Sequence, residues 1–236
     1  MNPLPEIADP FSRNEEERAL LVTADGSHTL FSAELNEHYH SMNGAMQESL
    51  HVYIHAGFNL CKKEAIRVLE LGFGTGLNAF LTALEAEKRK IKVSYIALEK
   101  YPLSPQIIEK LNYSHLNKNL FSAIHAAEWE KDCFINPFFS LQKIKIDFRD
   151  YDYLCRPDVV YYDAFAPDKQ PEVWSQEIFD ALYRTLSAGG ILTTYSAKGT
   201  VRRMMLQSGF RVERLPGPPG KREMLRATSA RSNFLN

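Results

Sequence analysis

Three glycines in five residues, Gly72, Gly74 and Gly76, stand directly after the apolar run Val68–Leu71, with Glu70 inside that run and Phe73 and Thr75 between the glycines. Glycine serves where a chain must turn at positive φ and where a ligand has to touch the backbone. A buried strand that runs into such a loop, with a helix after it, floors a nucleoside pocket at the carboxyl edge of a sheet. An ordinary glycine turn uses the same residue type, but three glycines favour the pocket. The spacing is Gly-x-Gly-x-Gly, not the Gly-x-Gly-x-x-Gly of dinucleotide enzymes, and no P-loop spacing occurs. Charge argues the same way. Glu70 would repel a pyrophosphate and would favour a ligand that carries an ammonium and a sulfonium. The expected cofactor is S-adenosylmethionine; NAD, FAD and a metal are not expected.

Further polar groups fall at the ends of apolar runs. Glu99, with Lys100 beside it, closes the next strand, where a carboxylate can accept hydrogen bonds from both ribose hydroxyls. Asp147 closes the one after and is placed to meet an adenine amino group, with Asp150 and Asp152 as rivals. After Val159–Tyr162 comes Asp163-Ala-Phe165-Ala-Pro167. Asp163 can accept a proton or a hydrogen bond from a nucleophilic amine. Phe165 can stack on a planar ring or face a sulfonium, and Pro167 stiffens the loop. Tyr162 and His40 are the next polar groups in line. A capping Asp and a core Phe would look the same without the glycine loop upstream. His51 and His55 share a helix face, but with no further Cys or His near them they read as surface histidines.

These residues need a scaffold. From Ala65 onward strands and helices alternate: strands at Ile66–Leu71, Lys92–Leu98, Leu141–Asp147, Asp158–Tyr162 and Ile191–Tyr195, and helices at Leu77–Arg89, Pro105–Leu111, Val173–Leu186 and Val201–Gln207. Phe210–Leu215 and Glu223–Ala227 form a final pair of strands joined by the Gly217–Gly220 loop. The pattern predicts an α/β, Rossmann-like class I methyltransferase fold, with a mostly parallel seven-stranded sheet and an antiparallel last strand. Residues 1–60 read as an extension: short strands at Ala19–Thr23 and Thr29–Phe31, then a helix over Met46–Leu60, together a cofactor lid. Residues 61–236 form the Rossmann-like domain.

The balance of 44% hydrophobic and 24% charged residues is that of a globular chain, and the net charge of -1 makes the whole molecule no nucleic-acid magnet. The ends differ, however. Residues 1–60 hold nine acids and two bases; residues 198–236 hold nine bases and two acids. Within the basic end, Arg202, Arg203, Lys221 and Arg222 are candidates for phosphate contact, on the reasoning that the glycine-framed loop lets a basic tip project. A solvated basic face is the plainer alternative. The chain has no long apolar run, its first ten residues lack a secretory pattern, and its three cysteines show no pairing, so no membrane association and a cytoplasmic location are expected.

Three segments together, Asp163–Trp174, Val201–Arg203 and Gly217–Leu225, resemble the methyltransferase half of the bacterial MnmC family of bifunctional tRNA-modifying enzymes. The likeness runs from about Thr23 to Ala227, and Glu37–Ser49 shares it. It implies methyl transfer from S-adenosylmethionine to the 5-aminomethyl group of a wobble (2-thio)uridine, with the tRNA anticodon stem-loop as partner. Asn236 ends the chain with no second glycine loop, so the oxidase step is expected either to be absent or to be done by a separate FAD-dependent oxidase as partner. The residues alone leave two other functions open: a methyltransferase of the same fold acting on a small molecule or protein, and a non-catalytic partner of an oxidase.

Overall fold

The computed structural model describes residues 18–230. The first 17 residues of the expected extension, with Met1–Pro10, and the last six residues of the chain lie outside them. The strand–helix alternation folds as expected into one large sheet. Its strands are β4 (Ala65–Leu71), β5 (Lys92–Glu99), β6 (Asp132–Asn136), β7 (Phe139–Lys145), β8 (Val159–Tyr162), β9 (Ile191–Thr194), β10 (Phe210–Pro216) and β11 (Glu223–Ser229). Their order is β10-β11-β9-β8-β4-β5-β7-β6. The five strands β9-β8-β4-β5-β7 are mutually parallel, and β11 runs antiparallel between β9 and β10. The count is eight rather than seven, because β6 pairs antiparallel with β7 as an extra edge strand. Its sequence DCFIN is a short run of three apolar residues between polar ends, with no alternation to announce a strand.

Helices cover both faces: α2 (Leu77–Arg89) and α4 (Lys118–Ala126) on one side, α5 (Gln176–Thr185) and α6 (Gly199–Ser208) on the other, with the short α3 (Pro105–Ile108) after β5. Side chains alternate across a strand, so each strand feeds two cores. Val68 and Tyr161 join the cluster under α2, while Leu69, Leu71 and Tyr162 join the cluster under α5 and α6. Burial of both faces is what makes these strands read as continuous apolar runs.

Ahead of this sheet, β1 (Arg18–Val22), β2 (His28–Ser32) and β3 (Glu37–His38) form a small antiparallel sheet. The expected long helix is broken into α1 (Ala45–Ser49), a π-helical stretch Leu50–His55 and a 3-10 turn Phe58–Leu60. The strand order fixes where a ligand can sit. The chain leaves β4 toward β5 on one side and returns through β8 on the other, and the crevice at such a switch opens at the carboxyl ends of the strands. The two segments that end there are the glycine loop and Asp163.

Candidate active site

The loop Gly72–Gly76 is bolted to β5, and the end of β4 from which it springs is bolted to the end of β8. Gly72 N–H donates to Leu98 O at 3.0 Å, and Asp163 N–H donates to Leu71 O at 2.9 Å. All three glycines have positive φ: 99°, 49° and 72°. A Cβ on Gly72 would run into the carbonyl of Asp163, so this glycine is required by the fold as well as by any ligand. Above the loop lies a cavity of about 300 Å³, walled by Gly72–Thr75, Glu99, Lys100, Asp147, Asp163, Phe165, Tyr195 and Lys221, and roofed by Glu37–Met42.

Glu99 lines the cavity, where it accepts from the N–H groups of Gly74 (3.0 Å) and Tyr101 (2.8 Å). Each carboxylate oxygen keeps a further lone pair for a hydroxyl. Asp147 also reaches the wall, but its acceptor capacity is taken. It receives Arg149 N, Nε and Nη2 and Lys100 Nζ at 2.8–3.0 Å. The Arg149 fork, with Lys100 behind it, holds this carboxyl well below the usual range. An adenine amino group would have to displace one of these donors, so the expected contact by Asp147 is not available in this arrangement. Arg149, two residues on, went unnoticed in the sequence.

Glu70 also departs from expectation. It is completely buried on β4 beneath the loop and does not line the cavity. Burial pushes its carboxyl well above the usual range, although Asn78 Nδ2 donates to it at 2.9 Å. Shut away from the cavity, and with its charge penalised by burial, Glu70 does not carry the charge argument against a pyrophosphate. That argument rests instead on the wall, where both lysines, Lys100 and Lys221, are already committed to Asp147 and Glu48.

Asp163 stands at the carboxyl end of β8, beside the glycine loop. Its carboxylate lines the cavity and is gripped by two neutral donors, Tyr53 OH to Oδ1 at 2.6 Å and Asn78 Nδ2 to Oδ2 at 2.7 Å. Burial pushes the carboxyl up to about 7, with the two donors pulling back and Glu48 pushing further. Tyr53 comes from the π-helical stretch, where the wider turn is a common device at functional sites; Asn78 is the second residue of α2. Neither was foreseen, although a polar residue amid Leu77, Phe80 and Leu81 on a core-facing helix is a signal. The segment after Asp163 is pinned: Tyr195 OH donates to Ala164 O, and Trp174 Nε1 to Phe165 O, both at 2.8 Å. Phe165 faces the cavity and meets Tyr39 edge-on at 4.9 Å. Tyr162 points away, donating to Val173 O.

His40 sits under the roof, near Thr29 on one ring nitrogen and Thr75 on the other (3.5 and 3.4 Å), and burial pushes it down to about 4. As a neutral imidazole it ties the roof to the glycine loop. Phe73 touches the cavity but turns its ring to His125 and Trp129. His51 bonds Pro216 O at 2.9 Å, and no group of metal-ligating residues occurs among the described residues. No helix there is long and apolar enough to cross a membrane.

The basic end divides. Arg203 and Arg222 are exposed, and Arg202 is partly buried in the first turn of α6. Lys221 is not on a projecting tip. The loop folds back so that Gly220 packs on Asn43, and Lys221 enters the cavity to pair with Glu48 at 2.6 Å. Charge neutralisation by a buried acid wins over solvation at a tip.

Replacing Tyr53 by Phe removes a donor to the Asp163 anion. The carboxyl should then rise further, and the acidic limb of the pH–rate profile should move to higher pH with a several-fold loss at pH 7. An unmoved limb would show that Tyr53 only fills space.

The cavity fits S-adenosylmethionine by its donor set: a loop whose glycines leave backbone exposed, Glu99 for hydroxyls, and the carboxylate of Asp163. A family profile described as S-adenosyl-L-methionine-dependent methyltransferase matches residues 140–230. The chain is 30% identical over 233 residues to a protein of Leptospira borgpetersenii named tRNA 5-methylaminomethyl-2-thiouridine biosynthesis bifunctional protein MnmC, covering 87% of this chain and 34% of that protein. The protein of the same name from Azoarcus sp. is 32% identical, with 88% and 35% covered. The chain thus spans about a third of the length of these curated relatives. The crystal structure of MNMC2 from Aquifex aeolicus superposes with a TM-score of 0.72 at 27% identity, over 94% of this chain and 74% of that one. The chain is thus similar to S-adenosyl-L-methionine-dependent methyltransferases over residues 140–230 and, over most of its length, to about a third of the MnmC proteins.

Proposed function

We propose that the chain N-methylates the 5-aminomethyl group of wobble (2-thio)uridine in tRNA, giving the 5-methylaminomethyl form. The observation that carries this reading is Asp163: a carboxylate facing the cavity, held by neutral donors alone and titrating near neutrality. Such a group can bind an alkylammonium, take its proton and aim the freed nitrogen. The names of the relatives supply the tRNA substrate.

In this reading the target nucleotide leaves the stack of the anticodon loop. Phe165 stacks on its base, and Trp174 and Tyr195 keep the Asp163–Phe165 segment rigid. Glycines 72, 74 and 76 with Glu99 hold the cofactor, and residues 18–60 lid it. S-adenosyl-L-methionine, when bound, supplies an electrophilic methyl group. The protein contributes positioning, exclusion of water and removal of one proton. An FAD-dependent oxidase, in the same polypeptide or another, is what this reading names as a supplier of the amine.

The test is direct. Purified protein, labelled cofactor and tRNA bearing the 5-aminomethyl nucleoside should yield a nucleoside one methyl heavier on digestion and mass spectrometry. Label that stays out of tRNA and enters bulk protein or small amines would overturn the reading. Arg203 and Arg222 are the exposed cations proposed to meet phosphate, with Arg202 beside them. Changing Arg203 and Arg222 together to Ala should weaken tRNA binding and reduce its log–log salt slope by roughly 0.7–0.9 per lost contact. Cofactor affinity should not change. An unchanged slope would assign both to a solvated surface.

A further inference from the structure

The cavity contains an amine of the protein's own. Lys221, at the tip between β10 and β11, places Nζ 2.6 Å from Glu48 Oε1 and 3.8 Å from the centroid of the Tyr195 ring. Lys221, Glu48, Tyr195 and Asp163 all line the same space. A lysine side chain ends in a primary alkylamine, the same chemical class as the proposed acceptor. An enzyme built to activate such an amine beside a methyl donor has to leave its own lysine alone.

The two carboxylates of this wall treat a cation differently. Glu48 is nearly inaccessible and fixed at both oxygens: one accepts Ser41 N–H at 2.6 Å, the other holds Lys221. The tip that carries Lys221 is fixed too, by Lys221 N–H to Pro218 O at 2.9 Å and Gly217 N–H to Arg222 O at 3.1 Å. An ion pair with a buried carboxylate and an aromatic ring against its other side hold this nitrogen in one place, turned to Glu48 and not to an incoming methyl group. Asp163 has no ion-pair contact among the described residues, only the hydroxyl of Tyr53 and the amide of Asn78. It is the carboxylate open to an incoming ammonium.

We propose that Lys221 is a latent methyl acceptor and that Glu48 withholds it, so that Glu48 determines which amine in the cavity is methylated. The proposal rests on the reading of the site as an amine methyltransferase. In the withheld reaction the Nζ lone pair forms a bond to the methyl carbon. The carbon–sulfur bond breaks with its electron pair left on sulfur, giving S-adenosylhomocysteine. The proton lost from nitrogen goes to Asp163 or to water, and the product is a monomethyl-lysine.

The experiment uses the full chain without tRNA. Glu48→Gln keeps the shape and one acceptor for Ser41 but removes the charge. Incubated with methyl-labelled S-adenosylmethionine and mapped by peptide mass, it should carry label on Lys221 at least about tenfold above the parent. Glu48→Gln with Lys221→Arg should lose that label. A second readout needs no cofactor. Limiting acetic anhydride should acylate Lys221 several-fold faster in Glu48→Gln than in the parent, with exposed Lys88 as internal standard. Binding of S-adenosylhomocysteine checks that the variant is folded; if it is not, Glu48→Asp, which keeps the charge at a longer reach, should show the same labels at lower yield. The proposal is overturned if a folded variant leaves Lys221 unmethylated and no more reactive to acylation, or if the parent labels Lys221 as fast. A parent inactive on tRNA would instead sink the acceptor reading, and the acylation rates would still report on Glu48.

Discussion

Asp163→Asn should bind cofactor like the parent and transfer methyl groups about 100-fold more slowly, or worse, at pH 7. The side chain keeps its volume and one acceptor oxygen, so the fold has no reason to change. It loses the charge that attracts an ammonium and the basicity that removes its proton. An unshifted aspartate is a poor base at neutral pH. Burial pushes this one up to about 7, which matches it to the task. The parent's kcat/KM should therefore climb by roughly tenfold per pH unit below 7 and bend near 7. In Asp163→Asn that limb should vanish, with partial recovery at high pH, where solvent supplies free amine. A variant as fast as the parent at neutral pH would make Asp163 structural, and His40, another polar group that lines the cavity, would be tested next.

The same carboxyl makes a stability statement whose sign runs opposite. Its folded value, about 7, lies above the unfolded value near 3.8. The folded protein therefore binds the proton more tightly, and that contribution is full below pH 4 and lost as pH rises through 7. Asp163→Asn has nothing to lose over this window. Relative to the parent it should melt higher at pH 8 than at pH 4. A site that stores destabilisation where it does chemistry is the usual trade between stability and activity.

What the sequence disclosed and what it hid follow one physical rule. The unit β4–loop–α2 is local: an apolar run, three glycines and an amphipathic helix are contiguous, so spacing alone placed them. Asp163 could be named because β8 ends at the same edge as β4. The residues that equip Asp163 were hidden because they arrive through tertiary contact. Tyr53 is 110 positions from Asp163, and Glu48 is 173 positions from Lys221. No periodicity reports such a pair. The hairpin β10–β11 shows both sides of the rule. Its antiparallel strands were legible from composition and turn residues, but the direction of its tip was not. Gly217–Gly220 suggested projection into solvent, whereas a buried acid elsewhere in the chain draws Lys221 inward. Glu70 misled for the same reason, since its charge state depends on burial that a one-dimensional reading cannot weigh.

Gly74→Val should abolish cofactor binding while the protein stays folded, and the contrast with Gly72 shows why. A Cβ at Gly72 meets the backbone carbonyl of Asp163. That carbonyl is main chain, in a residue whose own N–H is bonded to Leu71 O, and cannot swing aside like a side chain, so Gly72→Ala should cost stability and binding together. At Gly74 the nearest atom to a Cβ is Tyr39 Cδ1 at 3.3 Å, a side chain of the roof that can move. The variant must still hold a branched residue at φ 49°, in the left-handed region, which costs roughly 1–2 kcal/mol. Its methyl groups would fill the floor of the cavity and push Tyr39 against Phe165, its edge-on partner. The Gly74 N–H bond to Glu99 would be strained in the same movement. Melting should fall by only a few degrees for a chain of this size. Calorimetry should show affinity for S-adenosylhomocysteine reduced by about 100-fold or more, equivalent to roughly 3 kcal/mol. If Gly74→Val binds as tightly as the parent, the glycine loop is not the cofactor floor, and the carboxyl edge between β4 and β8 would need another ligand to explain it.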